Sequence, residues 1–440
     1  MQAPSLGVAL RSAAAARRVA LPAHRLGLFV LLLLCLSLAA HIWFQSERPP
    51  TLTPVSTPHG PGARLPRLTA IPAGGALLSW VEPDGAGHAL RFAVLKDGRV
   101  ERQGTVARGA GWFVNWADFP SVVAIRDDFW VAHWLVLHPG GAAYAYDIAL
   151  AVSTDAGEHW REIGPPHRDG VAAEHGFGVL FRDADAAGLI WLDGREFTIA
   201  QADPKAGPNP DRNPDPGLGT GADTHPDPNH THPSGKFSLR FARIYADGRL
   251  GAEEVLDDNT CTCCWPAVAT LADGAVAAWR GRTEAEVRDH RLAFRHAGVW
   301  SATAELGSEG WQIAGCPVNG PAVAVAGQRL LVTWYTAAAG RPRVRAALSS
   351  DAGRTFSPAL NLDVDDPLGR VAAIWLDDTH ALAAWLAASS DGQTTALTAR
   401  RITRTGALHA PRVLLSLPAG RDTGVPQMLR DGEEIYFAWT

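Results

Sequence analysis

The amino-acid sequence predicts an all-β chain folded as a single β-propeller of four-stranded blades, with seven blades favoured and six as the alternative. The chain has 44 Gly, 31 Pro and 16 Trp residues but no long amphipathic helix pattern, which is typical of many short strands joined by turns. After residue 62 one unit recurs every 40 to 60 residues or so, as propeller blades do. A row of separate sandwiches is the competing arrangement, but no linker interrupts this part of the chain.

The repeated unit is an apolar strand, a short turn and a second apolar strand that closes on Trp. Its copies cover residues 66–80, 120–134, 177–191, 266–279, 321–334, 370–385 and 426–439. Two further strand-like stretches follow within a unit, for example 145–153 and 343–350. The last copy runs to Thr440 after two strands, so we expect N-terminal chain to complete that blade, or its outer strands to be missing.

The overall composition excludes some functions. Hydrophobic residues make up 47% of the chain, charged residues 19%, and the net charge is -5. A nucleic-acid-binding protein would call for a basic stripe, so we expect no nucleic-acid partner.

A segment near the N-terminus is suited to a membrane. Residues 26–44 contain no Asp, Glu, Lys or Arg and could cross a hydrocarbon core of roughly 30 Å as a helix. Only basic charges precede it, which keeps the N-terminus inside: Arg11, Arg17, Arg18 and Arg25. We therefore predict a cytoplasmic segment (1–25), a transmembrane anchor (26–44), a Pro-rich linker (45–62) and an exported propeller (63–440), in the periplasm or outside the cell. A cleaved signal peptide ending near Ser37-Leu38-Ala39 is the alternative.

Two turns carry the same motif. Ser153–Trp160 and Ser349–Phe356 both read S-x-D-x-G-x-x-[WF], and Ser389–Gly392 is a degenerate third copy. The Asp accepts backbone N–H groups and the Gly takes a positive φ, so Asp155 and Asp351 are predicted to be structural. The motif resembles the Asp box of sialidases and related BNR-repeat propellers. That resemblance implies that these turns join third to fourth strands, on the face away from the functional site.

The opposite face is formed by chain that enters first strands and leaves second strands. Polar groups that converge there on the propeller axis are the expected form of a small-molecule site. The resemblance extends to Arg64-Leu65-Pro66, which is similar to a sialidase motif whose Arg clamps the substrate carboxylate, with Arg280 or Arg282 and Arg370 completing a triad. The predicted binding residues are Arg64, His175, Arg195, Arg280, Arg282, Asn319 and Arg370.

The catalytic part of the resemblance is incomplete. The stretch where the family has its Tyr nucleophile reads Thr423-Gly424-Val425-Pro426, and we place only Tyr335 on the predicted site face. The alternative is a carboxylate pair, with Asp118, Glu174 and Asp193 as the catalytic candidates. The sequence thus predicts a sialidase-like hydrolase of acidic glycans that needs no cofactor, or else a non-catalytic propeller that binds a glycan or protein of the cell envelope.

Four cysteines lie in the predicted propeller, namely Cys261, Cys263, Cys264 and Cys316. Because an exported domain lies in oxidising surroundings, we expect disulfides, with Cys316 paired to one of the other three cysteines. A zinc or copper site built from the four sulfurs is the alternative. Cys35 falls in the membrane segment.

The insertion at residues 203–235 is rich in Pro, Gly, Asp and His, so we expect a disordered loop, although His225, His230 and His232 could bind a metal.

Overall fold

The computed structural model of this chain describes residues 8–11, 52–198 and 234–440. These residues form six four-stranded sheets, one five-stranded sheet and one two-stranded ribbon. Within the described part of the chain, the one helical element is a short 3-10 turn at Ala338–Gly340. The protein is therefore all-β, and its four-stranded sheets belong to a single β-propeller, as the sequence predicts.

The sheets are numbered here along the chain from Arg64. Sheet 1 contains Arg64–Ala70, Ala76–Asp84, Gly87–Lys96 and Arg99–Gly109. Sheet 2 contains Ser121–Ala124, Trp130–Leu137, Tyr146–Ser153 and Arg161–Glu162. Sheet 3 contains His175–Asp183, Ala186–Asp193, Ser238–Ile244 and Glu254–Asp257. Sheet 4, the five-stranded one, contains Ala267–Leu271, Gly274–Arg280, His290–His296, Val299–Trp300 and Ala304–Leu306.

The remaining sheets complete the chain. Sheet 5 contains Ala322–Ala326, Arg329–Thr336, Arg343–Ser349 and Leu360–Asn361. Sheet 6 contains Pro367–Trp375, His380–Ala388, Thr394–Thr403 and Arg412–Pro418. Sheet 7 contains Gln427–Asp431, Glu434–Ala438, Val8–Arg11 and Thr53–Pro54. The two-stranded ribbon pairs Phe197–Thr198 with Ser234–Gly235 at the ends of the insertion, whose residues 199–233 lie outside the described part.

The predicted hairpins form at the predicted places, because their alternating apolar residues fill the space between neighbouring sheets. One tryptophan within or just beyond each second strand is buried in this space. These residues are Trp80, Trp134, Trp191, Trp279, Trp334, Trp385 and Trp439. Three of these indoles donate to a carboxylate: Trp80 to Glu82, Trp191 to Asp193 and Trp279 to Asp257, over 2.9, 2.8 and 2.7 Å. The shared Trp-to-acid contact fixes the strand ends that border the site face.

The two full Asp boxes have the predicted geometry. In the first, Ser153 Oγ donates to Asp155 Oδ1 over 2.8 Å, which also accepts the N–H of His159 over 2.9 Å, and Gly157 has φ +84°. Asp351 accepts the equivalent bonds in sheet 5. Both turns connect third to fourth strands. The degenerate copy is different, because Asp391 caps the turn between the second and third strands of sheet 6 and so lies on the opposite face.

The N-terminal predictions meet the structure only in part. The predicted anchor, residues 26–44, lies outside the described residues, and no helix in the part that is described is long and apolar enough to cross a membrane. Val8–Arg11, within the segment predicted to be cytoplasmic, pairs with Glu434–Ala438 of the propeller. A membrane crossing at 26–44 would place these two strands on opposite sides, so the strand pair and the anchor exclude each other.

Part of the predicted linker lies against the propeller. Val55 is buried in the hydrophobic core of sheets 1 and 7, and the N–H of Gly60 donates to Glu82 over 2.9 Å. The chain is therefore attached to the domain several residues before the first strand of sheet 1.

Candidate functional site

A tyrosine hydroxyl lies between two carboxyl groups on the face opposite the Asp boxes. Tyr146 begins the third strand of sheet 2, Asp118 precedes the first strand of that sheet, and Glu174 precedes the first strand of sheet 3. The Tyr146 hydroxyl oxygen is 3.0 Å from Asp118 Oδ2 and 3.2 Å from Glu174 Oε1. The two carboxyl groups are therefore within about 6 Å of each other, near the separation that glycosidases use.

Burial controls the protonation of this group. Asp118 is fully buried, and burial raises its pKa to about 7 although it accepts hydrogen bonds from Phe177 N–H and Tyr146. Burial also raises the pKa of Glu174 well above its usual range, and the neighbouring Asp118 charge adds to the effect. The phenol can donate its single proton to only one carboxylate, so the other must be protonated to share the same oxygen. Near neutral pH the site therefore holds at least one protonated carboxyl group.

Gly176 makes this arrangement possible. A Cβ atom there would lie 2.3 Å from Asp118 Oδ2 and 2.6 Å from the Tyr146 hydroxyl oxygen. Any side chain at this position would separate the acid from the phenol.

One oxygen of Asp118, Oδ1, is buried without a hydrogen-bond partner among the residues that the structure describes. The carboxyl group therefore keeps a free acceptor in a dry environment, where proton transfer is easily influenced by a neighbour.

Sheet 6 contributes a buried arginine, Arg370, to the same face. Arg370 is 5% exposed, stacks over the Trp116 ring at 4.3 Å, and donates to the carbonyls of Gly420 and Gly424 over 3.2 and 2.9 Å. No carboxylate forms an ion pair with it in the described chain, and burial lowers its pKa to about 10. A buried guanidinium without a counter-charge attracts an anion, so Arg370 remains a candidate for binding an acidic ligand.

The other predicted arginines are placed differently. Arg64 is exposed, because a bulge between Arg64 and Arg67 turns it outward, and Arg67 instead points inward and donates to Gln427 over 3.0 Å. Arg280 is buried, and four of its five N–H groups already donate to the carbonyls of Arg288, Asn319 and Tyr335. The structure does not bring these two predicted binding residues into an arginine triad.

Two more predicted binding residues have their side chains engaged within the protein: Arg282 in an ion pair and Asn319 in hydrogen bonds to the backbone. Arg282 pairs with Glu286 through two nitrogens. Asn319 accepts the N–H of Arg370 over 2.7 Å and donates to the carbonyls of Pro317 and Leu368, so it positions Arg370 on the site face.

Asp193, His175 and Arg195 form a separate buried network between sheets 2 and 3. Asp193 accepts bonds from Arg195 and Trp191, and although burial favours its neutral form, these partners hold its pKa below the usual value. Asp193 thus has an ion-pairing role, and no hydrogen bond joins its carboxylate to Asp118 or Glu174 among the described residues. His175 bonds to Asp169 over 3.2 Å.

Asp147, His167 and His175 lie close enough together to be considered as metal ligands, but the orientation of the two rings argues against a metal site. The rings of His167 and His175 stack at 3.7 Å with an angle of 8° between planes, and both lie close to Asp147. A ring nitrogen binds a metal through a lone pair in the ring plane, and two parallel stacked rings cannot aim these lone pairs at one ion. Burial lowers the pKa of His167 to about 4, whereas the carboxylates around His175 raise its pKa despite burial.

Sequence reasoning missed Tyr146 and Arg67. We predicted that Tyr335 alone would lie on the site face, whereas Tyr146 lies there too because the third strand of sheet 2 begins at that edge. The pattern that could have revealed it is the pair Tyr144 and Tyr146 at the start of a strand. Tyr144 also faces this region, since its pKa is raised by burial and by the nearby Glu174 and Cys316.

The prediction of disulfides is wrong for this structure. Cys261, Cys263, Cys264 and Cys316 are all free thiols. Cys316 is exposed at the entry to sheet 5, and its sulfur lies 3.7 Å from the hydroxyl of Thr262. A disulfide requires sulfurs about 2 Å apart. The sulfurs of Cys261 and Cys263 are 3.8 Å apart, and those of Cys261 and Cys264 are 2.8 Å apart. The three sulfurs form a compact cluster without any bridge.

The chain is a β-propeller that carries two Asp-box turns, which resemble those of sialidases. No family model and no curated protein matches the sequence. Among solved structures, the chain is similar to the leech intramolecular trans-sialidase, with 12% identity, 81% of this chain and 77% of that chain covered, and a TM-score of 0.42.

It is also similar to the GH93 α-L-arabinofuranosidase of Fusarium graminearum, with 12% identity, coverage of 78% of this chain and 93% of that chain, and a TM-score of 0.42. A NanB sialidase from Streptococcus pneumoniae aligns over 86% of this chain and 68% of its own, with 9% identity and a TM-score of 0.39.

Proposed function

We propose that this protein is a glycoside hydrolase that acts on acidic glycans at the face opposite its Asp boxes. The observation that carries the proposal is the Tyr146 hydroxyl held between Asp118 and Glu174. Glycosidases need a carboxyl group that is still protonated near neutral pH, and burial produces this state here.

Glu174 is the member of the group that a substrate can reach. It is half-buried, whereas Asp118 and Tyr146 are 0% and 1% exposed. Glu174 in its acid form donates a proton to the glycosidic oxygen as the bond to the leaving group breaks. Asp118 then acts through Tyr146 as a positioning residue, because it fixes the phenol that contacts Glu174 Oε1.

The acidic nature of the substrate is inferred from Arg370. This guanidinium is buried beside Trp116 with no carboxylate partner in the described chain. A sugar carboxylate would supply the missing charge through a forked pair of hydrogen bonds, and the Trp116 ring would contact the apolar face of the sugar.

The test is a screen of the full-length protein against aryl glycosides that include sialosides, uronides and arabinofuranosides, with phenol release as the readout. Glu174→Gln should lower the rate on the best substrate by a factor of about 100 to 10,000. Glu162→Gln, an exposed position in sheet 2, is the matched control and should keep full activity. If no glycoside is cleaved but a glycan array shows binding at this face, the protein is a non-catalytic propeller.

We also propose that the ring has seven blades. Two observations support this count. Sheet 4 is a blade whose outer edge is divided between Val299–Trp300 and Ala304–Leu306, both paired with the third strand. The first strands of sheets 1 to 7 follow one another in contact, and that of sheet 7 contacts that of sheet 1. An experimental structure with six sheets in the ring would refute the count.

We further propose that the propeller is exported and held at the membrane by residues 26–44, as the apolar run and its basic flank suggest. In the membrane-inserted protein, Val8–Arg11 would then have to leave sheet 7. Ser5→Cys in a variant that lacks the other cysteines should resist a membrane-impermeant maleimide in intact cells, because residues 1–25 would be cytoplasmic. Labelling of this cysteine would instead favour the strand pair between Val8–Arg11 and Glu434–Ala438. A mature protein that begins near Ala40 would show a cleaved signal peptide.

A further inference from the structure

We propose that Cys261, Cys263 and Cys264 form a binding site for one monovalent copper ion. This site is distinct from the proposed hydrolase group, and neither proposal depends on the other. The three ligand sulfurs lie within 4.8 Å of one another. They come from four consecutive residues in the segment that enters the first strand of sheet 4.

The backbone holds this segment in a fixed position. The N–H of Thr260 donates to Phe237 over 2.7 Å, and the N–H of Cys261 donates to Arg280 over 3.0 Å. Gly320 approaches so closely that a Cβ there would lie 2.0 Å from the carbonyl oxygen of Trp265. The turn that carries the sulfurs is therefore tied to sheets 3, 4 and 5, and the donor set is largely preformed.

The sulfur spacing suits a single small cation. Cys261 and Cys263 have their sulfurs 3.8 Å apart, close to the separation expected for two thiolates on one metal with bonds of about 2.3 Å. Cys264 approaches Cys261 to 2.8 Å, closer than two unbonded sulfurs remain, whereas two thiolates on one metal ion lie roughly 4 Å apart when the bonds are about 2.3 Å. A shared metal ion relieves this crowding with a small adjustment of the side chains.

The charges behind the cluster favour anionic sulfur. Arg288 is 5% exposed and its Nη1 lies 3.5 Å from Cys261 Sγ. Arg280, also buried, lies against Arg288 through the carbonyl of that residue. Arg288 also pairs with Glu286 over 2.8 Å, a carboxylate that it shares with Arg282. The three guanidinium groups thus exceed this carboxylate by two positive charges, which offset the net charge of −2 on a copper(I) ion with three thiolates.

The cysteines of the site differ in their exposure to solvent. Cys261 and Cys264 are 0% and 1% exposed, whereas Cys263 is half-buried. Cys316 lies exposed beside Thr262 at the opening. An incoming ion would meet Cys316 or Cys263 first and then pass to the buried pair, which is the arrangement of a site that loads from solvent.

The donor chemistry selects the metal. All three donors are soft thiolates, which favour copper(I) and zinc over calcium, magnesium or manganese. Three sulfurs suit the trigonal coordination of copper(I). Zinc(II) prefers four ligands, whereas Cys316 interacts with Cys263 at the edge of the cluster and lies outside the three-sulfur group. We therefore assign copper(I), with Cys316 as a residue that assists entry.

The experiment uses the full-length protein, purified anaerobically under a mild reductant and titrated with copper(I) against a chromophoric copper(I) chelator. One copper per chain is expected, with an X-ray absorption spectrum that shows only sulfur ligands. Cys263→Ser, at a half-buried position that should tolerate the change, is expected to weaken binding by about tenfold or more. Cys35→Ser, outside the cluster, is the matched control and should bind normally.

Other outcomes overturn the assignment. Zinc bound at one per chain in preference to copper(I), with loss of zinc in Cys316→Ser, would make this a four-sulfur zinc site. A Cys261–Cys264 disulfide in protein acid-trapped directly from cells, with no copper binding after reduction, would make the pair a redox couple. Unchanged copper binding by Cys263→Ser, with circular dichroism that shows the native fold, would also refute the site.

Discussion

The hydroxyl of Tyr146 and the buried carboxyl of Asp118 are 3.0 Å apart, although 28 residues separate them along the chain. The contact joins the start of the third strand of sheet 2 to the segment before its first strand. It places an ionisable pair where the edges of sheets 2 and 3 meet. The chemistry proposed for this protein depends on that contact, because Asp118 fixes the phenol that contacts Glu174, the proposed acid.

Asp118→Asn should change how stability depends on pH. Burial raises the pKa of the folded carboxyl from 3.8 to about 7, so between these values the folded state keeps a proton that the unfolded state releases. The contribution of Asp118 to stability is complete below pH 3.8 and is lost as pH rises to about 7, by at most about 4 kcal/mol. Urea unfolding at pH 4.5 and 7.5 should show a smaller loss for Asp118→Asn than for the wild type. The exposed Asp127→Asn is the control, and an equal loss in all three proteins would contradict the raised pKa.

Gly176→Ala should damage both the site and the fold. The new Cβ would collide with the Asp118 carboxyl and the Tyr146 ring, which cannot both move away because the backbone N–H of Phe177 holds Asp118 at 2.8 Å. We expect a loss of about 1 to 3 kcal/mol in unfolding free energy together with a loss of activity. Gly315→Ala is the matched control, since the nearest atom to its Cβ is 3.7 Å away. Equal stability of the two variants would show that the packing around Asp118 is looser than described.

Arg370→Met should separate ligand binding from stability. The substitution keeps much of the apolar contact with Trp116 and removes a buried charge, at the cost of the hydrogen bonds to Gly420 and Gly424. We expect unfolding free energy to change by less than about 2 kcal/mol. The proposed function predicts that N-acetylneuraminic acid raises the melting temperature of the wild type, and this rise should be absent in Arg370→Met. The exposed Arg404→Met should keep that rise, and a retained rise in Arg370→Met would remove Arg370 from the binding site.

Asp351→Ala should lower the melting temperature without affecting activity. Asp351 accepts the side-chain and backbone hydrogen bonds of Thr355, and these lower its pKa to about 2. The stabilisation is present above pH 3.8 and is lost as pH falls toward about 2, so the difference from wild type should be full at pH 7 and shrink near pH 2. Arg354→Ala, in the same turn, is the control for calorimetry. A difference that persists unchanged at pH 2 would assign the effect to another cause.

The sequence allowed the strands to be located better than the site. The inner hairpins follow from local information, because alternating apolar residues, a Gly or Asp turn and a closing Trp occur together in each copy. The arginines show the limit: R-L-P points to Arg64, but a bulge after it turns Arg64 outward and Arg67 inward. No local pattern fixes such a bulge, since it depends on packing against Gln427 of sheet 7.

The candidate catalytic group shows a similar division. Asp118 and Glu174 follow from their position at strand entries, which any propeller topology brings to one face. Asp193 has the same type of position, yet Trp191 and Arg195 occupy its oxygens. Whether an acid is free or paired depends on side chains that reach it from other strands, and the order of residues in the chain does not reveal this.

The buried tryptophan repeated in every sheet has a spectroscopic consequence. Each of these indoles occupies an equivalent place, so each sheet contributes its own emitter at a comparable depth below the surface. Those of Trp80, Trp191 and Trp279 are hydrogen-bonded to carboxylates, whose negative charge shifts the emission energy of the ring. Single Trp→Phe replacements would assign parts of the emission spectrum to individual sheets. During unfolding, the order in which those parts of the spectrum shift to longer wavelength would show the order in which the sheets unfold.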